Sequence, residues 1–272
     1  MSVITHEKVV GLVGRMHGVL MSLQKFDLLE VRGVVKGLIS PTPRDVCFTG
    51  VYYRTAANAS TLQLLTDAQH FQAISMAARA MFELSVDIRL LDVVTDGVEK
   101  MLAFSDVERL RAARNIVKFK NANPSVEIDD AQVYEDHIQA RQAAIDARRQ
   151  TLWPNLKKVD HWSGLNLRER VEKLKAPFDE TYEVEYPRLS WQTHAGLAGV
   201  TNLDADVFIA MCGNALGIAA NAYEAVLHTV INELKIDKGV EKIHDKLRLA
   251  KMLPFTENPQ QARQLQYELL GY

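Results

Sequence analysis

Phe71-Gln-Ala-Ile74-Ser-Met-Ala77-Ala78-Arg79-Ala-Met81-Phe82-Glu83-Leu84-Ser-Val86-Asp87-Ile88-Arg-Leu90-Leu91 carries two apolar stripes. Ile74, Ala77, Met81, Leu84, Ile88 and Leu91 follow the three-four spacing of a helix face. Phe71, Ala78, Phe82, Val86 and Leu90 fill the opposite side. A helix that is apolar all round belongs in the middle of a bundle. The pattern runs from about Ala56 to Val94 and predicts one very long, bent helix. The expected fold is therefore all-α: a multi-helix bundle around a long central helix, with little or no sheet.

Working outward, Val3 to about Ile39 reads as helix, broken near Gly33 or Gly37 and ended by Ser40-Pro41-Thr42-Pro43. Asp45 to Tyr53 reads as a connector with some strand character. Ser105-Asp-Val-Glu108 has the form of a capping box and is expected to open a helix to about Asn121. Asp129 or Asp130 caps the next, to about Leu152. Asn166-Leu-Arg-Glu169 is a second capping-box pattern. Asp179 to about Leu197 is helical, with a restart or kink at Pro187. Asp204 caps an apolar helix to about Leu234. The expected organisation is a single helical-bundle domain over 1–235, followed by a charged helical tail over 236–272 that packs on the bundle or on a partner.

Composition narrows the function classes. Of 272 residues, 47% are hydrophobic and 24% charged, the balance of a soluble globular chain, and the net charge of −2 confines any basic surface to a local patch. The uncharged run Val207–Tyr223 is short for a membrane span and holds Asn214 and Asn221, so a buried helix is expected and no membrane association. Met1-Ser-Val-Ile-Thr-His-Glu has no charged segment followed by an apolar one, so no signal peptide is expected. Cys47 and Cys212, far apart in sequence, are expected to be reduced thiols in a cytoplasmic protein. Glu241-Lys-Ile-His244 is the single Glu-x-x-His pair, where di-iron bundles need two. With no glycine-rich phosphate loop or Cys/His zinc spacing either, no metal and no cofactor is expected.

Several polar positions do not fit a plain core. Arg79 and Glu83 sit one turn apart among small and apolar neighbours, where a charge needs a partner. Tyr182, Tyr186, Ser190 and His194 recur every four residues and share one helix face. Asn214, Asn221 and His228 repeat every seven residues on the apolar helix, with Glu224 beside them. The expectation is that these stripes converge on one internal polar site. His194 has an ordinary pKa near neutrality and would serve as acid or base, with Ser190 one turn away. Two basic clusters, Arg109/Arg111/Arg114/Lys118/Lys120 and Arg141/Arg148/Arg149/Lys157/Lys158, read as solvated helix faces or as a surface for RNA.

Three segments together resemble a bacterial helical family catalogued as a domain of unknown function: Ala78-Arg79-Ala-Met-Phe-Glu83-Leu, His161-Trp162-Ser-Gly-Leu-Asn166-Leu-Arg168-Glu169, and Tyr182 through His194. The resemblance covers about 50 to 235 and implies an all-α protein with these polar residues gathered inside. A looser resemblance is to the HEPN superfamily, whose motif is an Arg followed, after four to six residues, by a His. Arg188 and His194 have five residues between them. That resemblance implies a metal-independent ribonuclease of stress or phage defence, acting as a homodimer. Arg188 would stabilise phosphate charge and His194 would act on the ribose hydroxyl. On a straight helix the two lie about 120° apart, so both face one phosphate only where the helix bends. The rival expectations are a non-enzymatic binding or scaffold module and a small-ligand sensor.

Overall fold

The computed structural model describes residues 6–65, 67, 70–127, 130–193, 205–236 and 240–270. Among these every regular element is a helix, and the fold is an all-α helical bundle. No helix among the described residues is long and apolar enough to cross a membrane. The chain divides into two compact units, Met1–Arg89 with Val171–Tyr272, and Leu90–Arg170.

The first unit begins with α1 (His6–Phe26), a π-helical turn (Asp27–Val31) and α2 (Arg32–Lys36), which ends at Gly37. The segment expected to be a connector is instead the first part of α3 (Pro43–Leu64). Ser-Pro-Thr-Pro both stops one helix and starts the next. Thr42 Oγ1 accepts from the Asp45 amide at 3.1 Å, and Asp45 accepts from the Thr42 amide at 2.8 Å, with Pro43 in the first turn. The long helix expected over Ala56–Val94 is also two helices. Leu65 leaves helical geometry at ψ 74°, and α4 runs from Phe71 to Leu90. Within α4 the two stripes are real: Ile74, Met81 and Ile88 are buried, and so are Ala78, Phe82 and Val86 on the other side.

Next in this unit come α8 (Phe178–Val184), α9 (Tyr186–Thr193), α10 (Ala205–Glu233), α11 (Val240–Met252) and α12 (Pro259–Leu270). The expected Asp179–Leu197 helix is broken at Glu185, between α8 and α9. α10 is buried on most of its circumference, with Ala215, Ala219, Tyr223, Val226, Leu227, Val230 and Ile231 at 0% exposure. Each large aliphatic side chain sealed this way contributes about 1.5–3 kcal/mol. It packs closely on α1 because Gly213 and Gly217 leave room there. A Cβ on Gly213 would lie 3.3 Å from Val13 Cγ2, and one on Gly217 3.4 Å from the Met16 sulfur. The matched order of these contacts makes the two helices parallel. Lys246 pairs with Glu30, and Lys251 with Glu224, which ties α11 to this unit.

The second unit is built on α5 (Gly97–Ala122) and α6 (Ala131–Leu152). Ser105–Glu108 lies inside α5 and does not open it, because the chain enters the helix at Asp96–Gly97. Leu110, Ile145, Leu152, Trp153 and Val159 form its core. The loop after α6 folds over that core, where the Trp153 indole donates to the Trp162 carbonyl at 2.9 Å. Asn166 and Glu169 form a reciprocal cap at the start of α7 (Leu167–Leu174), at 3.1 and 2.8 Å.

Candidate functional site

Glu83 is the centre of the polar cluster in the first unit. Arg79 Nε donates to Glu83 Oε1 at 3.0 Å along α4, and the Tyr186 hydroxyl donates to the same oxygen at 2.7 Å from α9. The Arg79 guanidinium lies 5.3 Å from the centre of the Tyr186 ring, within cation–π range. Tyr182 stacks on Tyr186 at 5.3 Å, and the Phe82 ring lies 5.6 Å from Tyr186, tilted by 47°. Burial, then the hydrogen bond to Glu83 and its charge, push the Tyr186 phenol well above its ordinary range. Burial works against the Arg79 charge, but Glu83 and Tyr186 outweigh it and raise Arg79 overall. Tyr186 is therefore a neutral hydrogen-bond donor at physiological pH, and no proton leaves it readily.

One side of Phe82 faces a cavity of about 260 Å³. Phe82 and Ser85 of α4, Phe178, Thr181 and Glu185 around α8, and Asn214 and Asn221 of α10 line it. Asn214 Nδ2 donates to Glu185 Oε2 at 2.6 Å. Glu185 is the single charged residue of this lining. Asn221 is an exposed member of this lining.

The remaining candidates lie elsewhere. Glu224 is held by Lys251 of α11 and makes no hydrogen bond to the Glu83 cluster. A tail helix with no readable target thus occupies the carboxylate that stood beside the Asn214, Asn221 and His228 stripe. Arg188 is 52% exposed and pairs with Glu185 at 3.4 Å. Ser190 is half-buried. His194 lies outside the described residues. His228 belongs to a separate group: Asn232 Nδ2 donates to His228 Nδ1 at 3.2 Å, His244 Nε2 donates to Asn232 Oδ1 at 2.8 Å, and the two imidazole centres lie 4.2 Å apart, tilted by 32°.

Sequence reading missed a second polar cluster in the first unit. Asp27, at 0% exposure, opens the π-helical turn. Its carboxylate accepts from Arg32 Nε and Nη2, at 3.1 and 2.6 Å, and from the Tyr52 hydroxyl. The buried Tyr223 hydroxyl is near the same carboxylate but has no hydrogen-bond partner among the described residues. Burial and then Asp27 push Tyr52 and Tyr223 far above their ordinary range. The available signal was an Asp one turn after Leu23 on the apolar face of α1.

Cysteine chemistry has no support at this site. Cys47 and Cys212 are buried free thiols, and burial followed by the charge of Asp67 pushes Cys212 up to about 11. No group of three His, Cys, Asp or Glu side chains suited to a metal occurs among the described residues.

No curated protein and no solved structure matches the chain. Residues 45–206, more than half of its length, match a family described as a family of unknown function, DUF5677. The match takes in Arg79, Glu83, Tyr182, Tyr186 and Glu185, so most of the cluster just described lies inside it. The chain belongs to the DUF5677 family.

Proposed function

We propose that this chain is a non-enzymatic binding module that takes a small organic amine into the cavity between α4, α8 and α10. The observation that carries this reading is the pairing of aromatic walls, Phe82 and Phe178, with one carboxylate, Glu185, which an amine would take over from its 3.4 Å pairing with the exposed Arg188, in a concavity of about 260 Å³. Such sites bind through apolar enclosure and orient the guest through a few polar groups. The Glu83–Arg79–Tyr186 cluster then acts as a fixed support behind Phe82. The buried free thiols support a reducing, cytoplasmic setting.

Thermal unfolding with phenethylamine, beside its neutral counterpart phenylethanol, tests the reading. The amine should raise the midpoint and the alcohol should do so less. Ala225→Leu, which fills the cavity from α10, should abolish the shift. Equal shifts in Ala225→Leu and the parent chain would sink the proposal.

The second reading is a HEPN-like ribonuclease acting on RNA as a homodimer. The solvent exposure of Arg188 favours it, since a phosphate can reach that guanidinium. Glu185 already holds Arg188, and a phosphate would have to displace it. Metal-free incubation with mixed RNA, beside His194→Ala and Arg188→Ala, decides this reading: cleavage lost in both variants supports it, and an intact RNA pool rejects it.

A further inference from the structure

We infer that the concavity between α5, α6 and the loop after α6 binds a small phosphomonoester. Two basic clusters separate in sequence meet there. Arg111 and Arg114 come from α5, Arg149 from α6, and Lys157 and Lys158 from the loop. They line a space of about 290 Å³ in which Asp146 is the one carboxylate. A chain of net charge −2 thus concentrates five cations around one small volume.

The cations are held in place by bonds that leave donors over. Arg149 Nη1 donates to the Leu156 and Lys157 carbonyls at 3.1 and 3.3 Å, while Arg111 Nη2 donates to the Val159 carbonyl and its Nη1 pairs with Glu108 and, at 4.0 Å, with Asp160. These bonds fix the loop and aim both guanidinium planes. Each guanidinium has five N–H groups, so a phosphate still finds donors on both. Arg114 donates to Asp146 at 2.7 Å, and Lys158 pairs with Asp160 at 2.7 Å. Lys157 makes no ion pair among the described residues.

Two observations favour a compact ester over a polynucleotide. The floor is apolar, formed by Val107, Leu110 and Ile145, and would seat an organic body beneath the phosphate. Basic residues flanking the concavity are neutralised locally, Lys120 by Glu135 at 3.4 Å and Arg148 by Glu99 at 3.5 Å. Within the lining, Arg111, Arg114 and Lys158 are paired too, so the positive field is concentrated at Arg149 and Lys157, whereas successive backbone phosphates need a track.

Calorimetric titration of the full chain tests this with four probes: adenosine monophosphate, adenosine, inorganic phosphate, and an RNA oligonucleotide without terminal phosphates. Adenosine monophosphate should bind most tightly, inorganic phosphate more weakly, and adenosine not at all. The double variant Arg114→Gln/Lys157→Gln should lose about tenfold or more in affinity for the monophosphate. Lys118→Gln, on α5 outside the concavity, should bind as the parent does. Melting curves of both variants show that they are folded. Three results overturn the inference: no heat with either phosphate probe, equal affinity in the double variant, or RNA binding tighter than the monophosphate and weakened by the same substitutions.

Discussion

The Tyr186 hydroxyl donates to Glu83 Oε1 at 2.7 Å, joining two residues 103 positions apart. Glu83 cannot hold Tyr186 through α4 alone, so the bond is a tertiary constraint that orients α9. A hydrogen bond to a charged acceptor contributes about 1.5–3 kcal/mol when sealed from water. Glu83 is 33% exposed and keeps Arg79 when Tyr186 loses its hydroxyl, so the lower end applies. Tyr186→Phe should cost about 1.5 kcal/mol in urea unfolding. In a double-mutant cycle with Glu83→Gln, most of that cost should appear as coupling. Additive losses would show that the contact carries little energy.

The Asp27 cluster predicts a larger effect. Its carboxylate satisfies Arg32 and Tyr52 at once, at a position without solvent. Asp27→Ala should cost about 2–4 kcal/mol, because it leaves the buried Tyr52 phenol without its acceptor and the part-exposed Arg32 without its partner. Asp27→Asn keeps an acceptor oxygen and should cost less, about 1–3 kcal/mol. Urea unfolding followed by far-UV circular dichroism measures both. Equal losses in the two variants would mean that the site needs the charge and not merely an acceptor.

Legibility in the sequence followed periodicity. Arg79 and Glu83 were readable because a four-residue offset on one continuous helix maps directly to a contact. The Tyr182, Tyr186, Ser190 stripe was only partly so: Tyr182 and Tyr186 do stack, but the chain leaves helical register at Glu185 between them. Asp27 was in phase, one turn after Leu23, but its partners were hidden: Arg32 lies beyond a π-turn, whose extra residue breaks the 3.6-residue phase on which stripe reading depends, and Tyr52 comes from α3. Ser105–Glu108 shows the reverse error. Ser-x-x-Glu fits an N-terminus, but it is equally tolerated on an exposed helix face, and only the backbone at Asp96 decides where α5 begins. Glu224 depended on α11, whose docking no local pattern encodes.

The close His228–His244 pair predicts acid sensitivity. Burial, then His244 and Arg89, hold His228 below its ordinary value of 6.5. Its Nδ1 accepts from Asn232, and a proton there would break that bond. The sign follows from linkage. As pH falls through 6.5 the unfolded chain takes up a proton that the folded chain refuses, so stability drops until the lower folded value is passed. The urea midpoint should therefore fall between about pH 7 and pH 5. His228→Gln should flatten that part of the profile. An unchanged profile in the variant would assign the acid loss to other groups.

Gly164 predicts how the second unit fails. It sits at φ +76°, and a Cβ there would lie 3.0 Å from both Leu156 Cδ1 and Trp153 Cδ1. Left-handed backbone costs a non-glycine residue about 1–2 kcal/mol before any crowding. Trp153 cannot retreat freely, because its indole donates to the Trp162 carbonyl and its ring is part of the core of that unit. Gly164→Ala should therefore cost about 2–4 kcal/mol, strain and overpacking together. The loop that carries Lys157, Lys158 and Val159 is anchored by the same tryptophan. Hydrogen exchange should consequently rise first at residues 153–164 and leave α10 of the first unit protected. Uniform deprotection of both units would instead mean that the two unfold as one cooperative body.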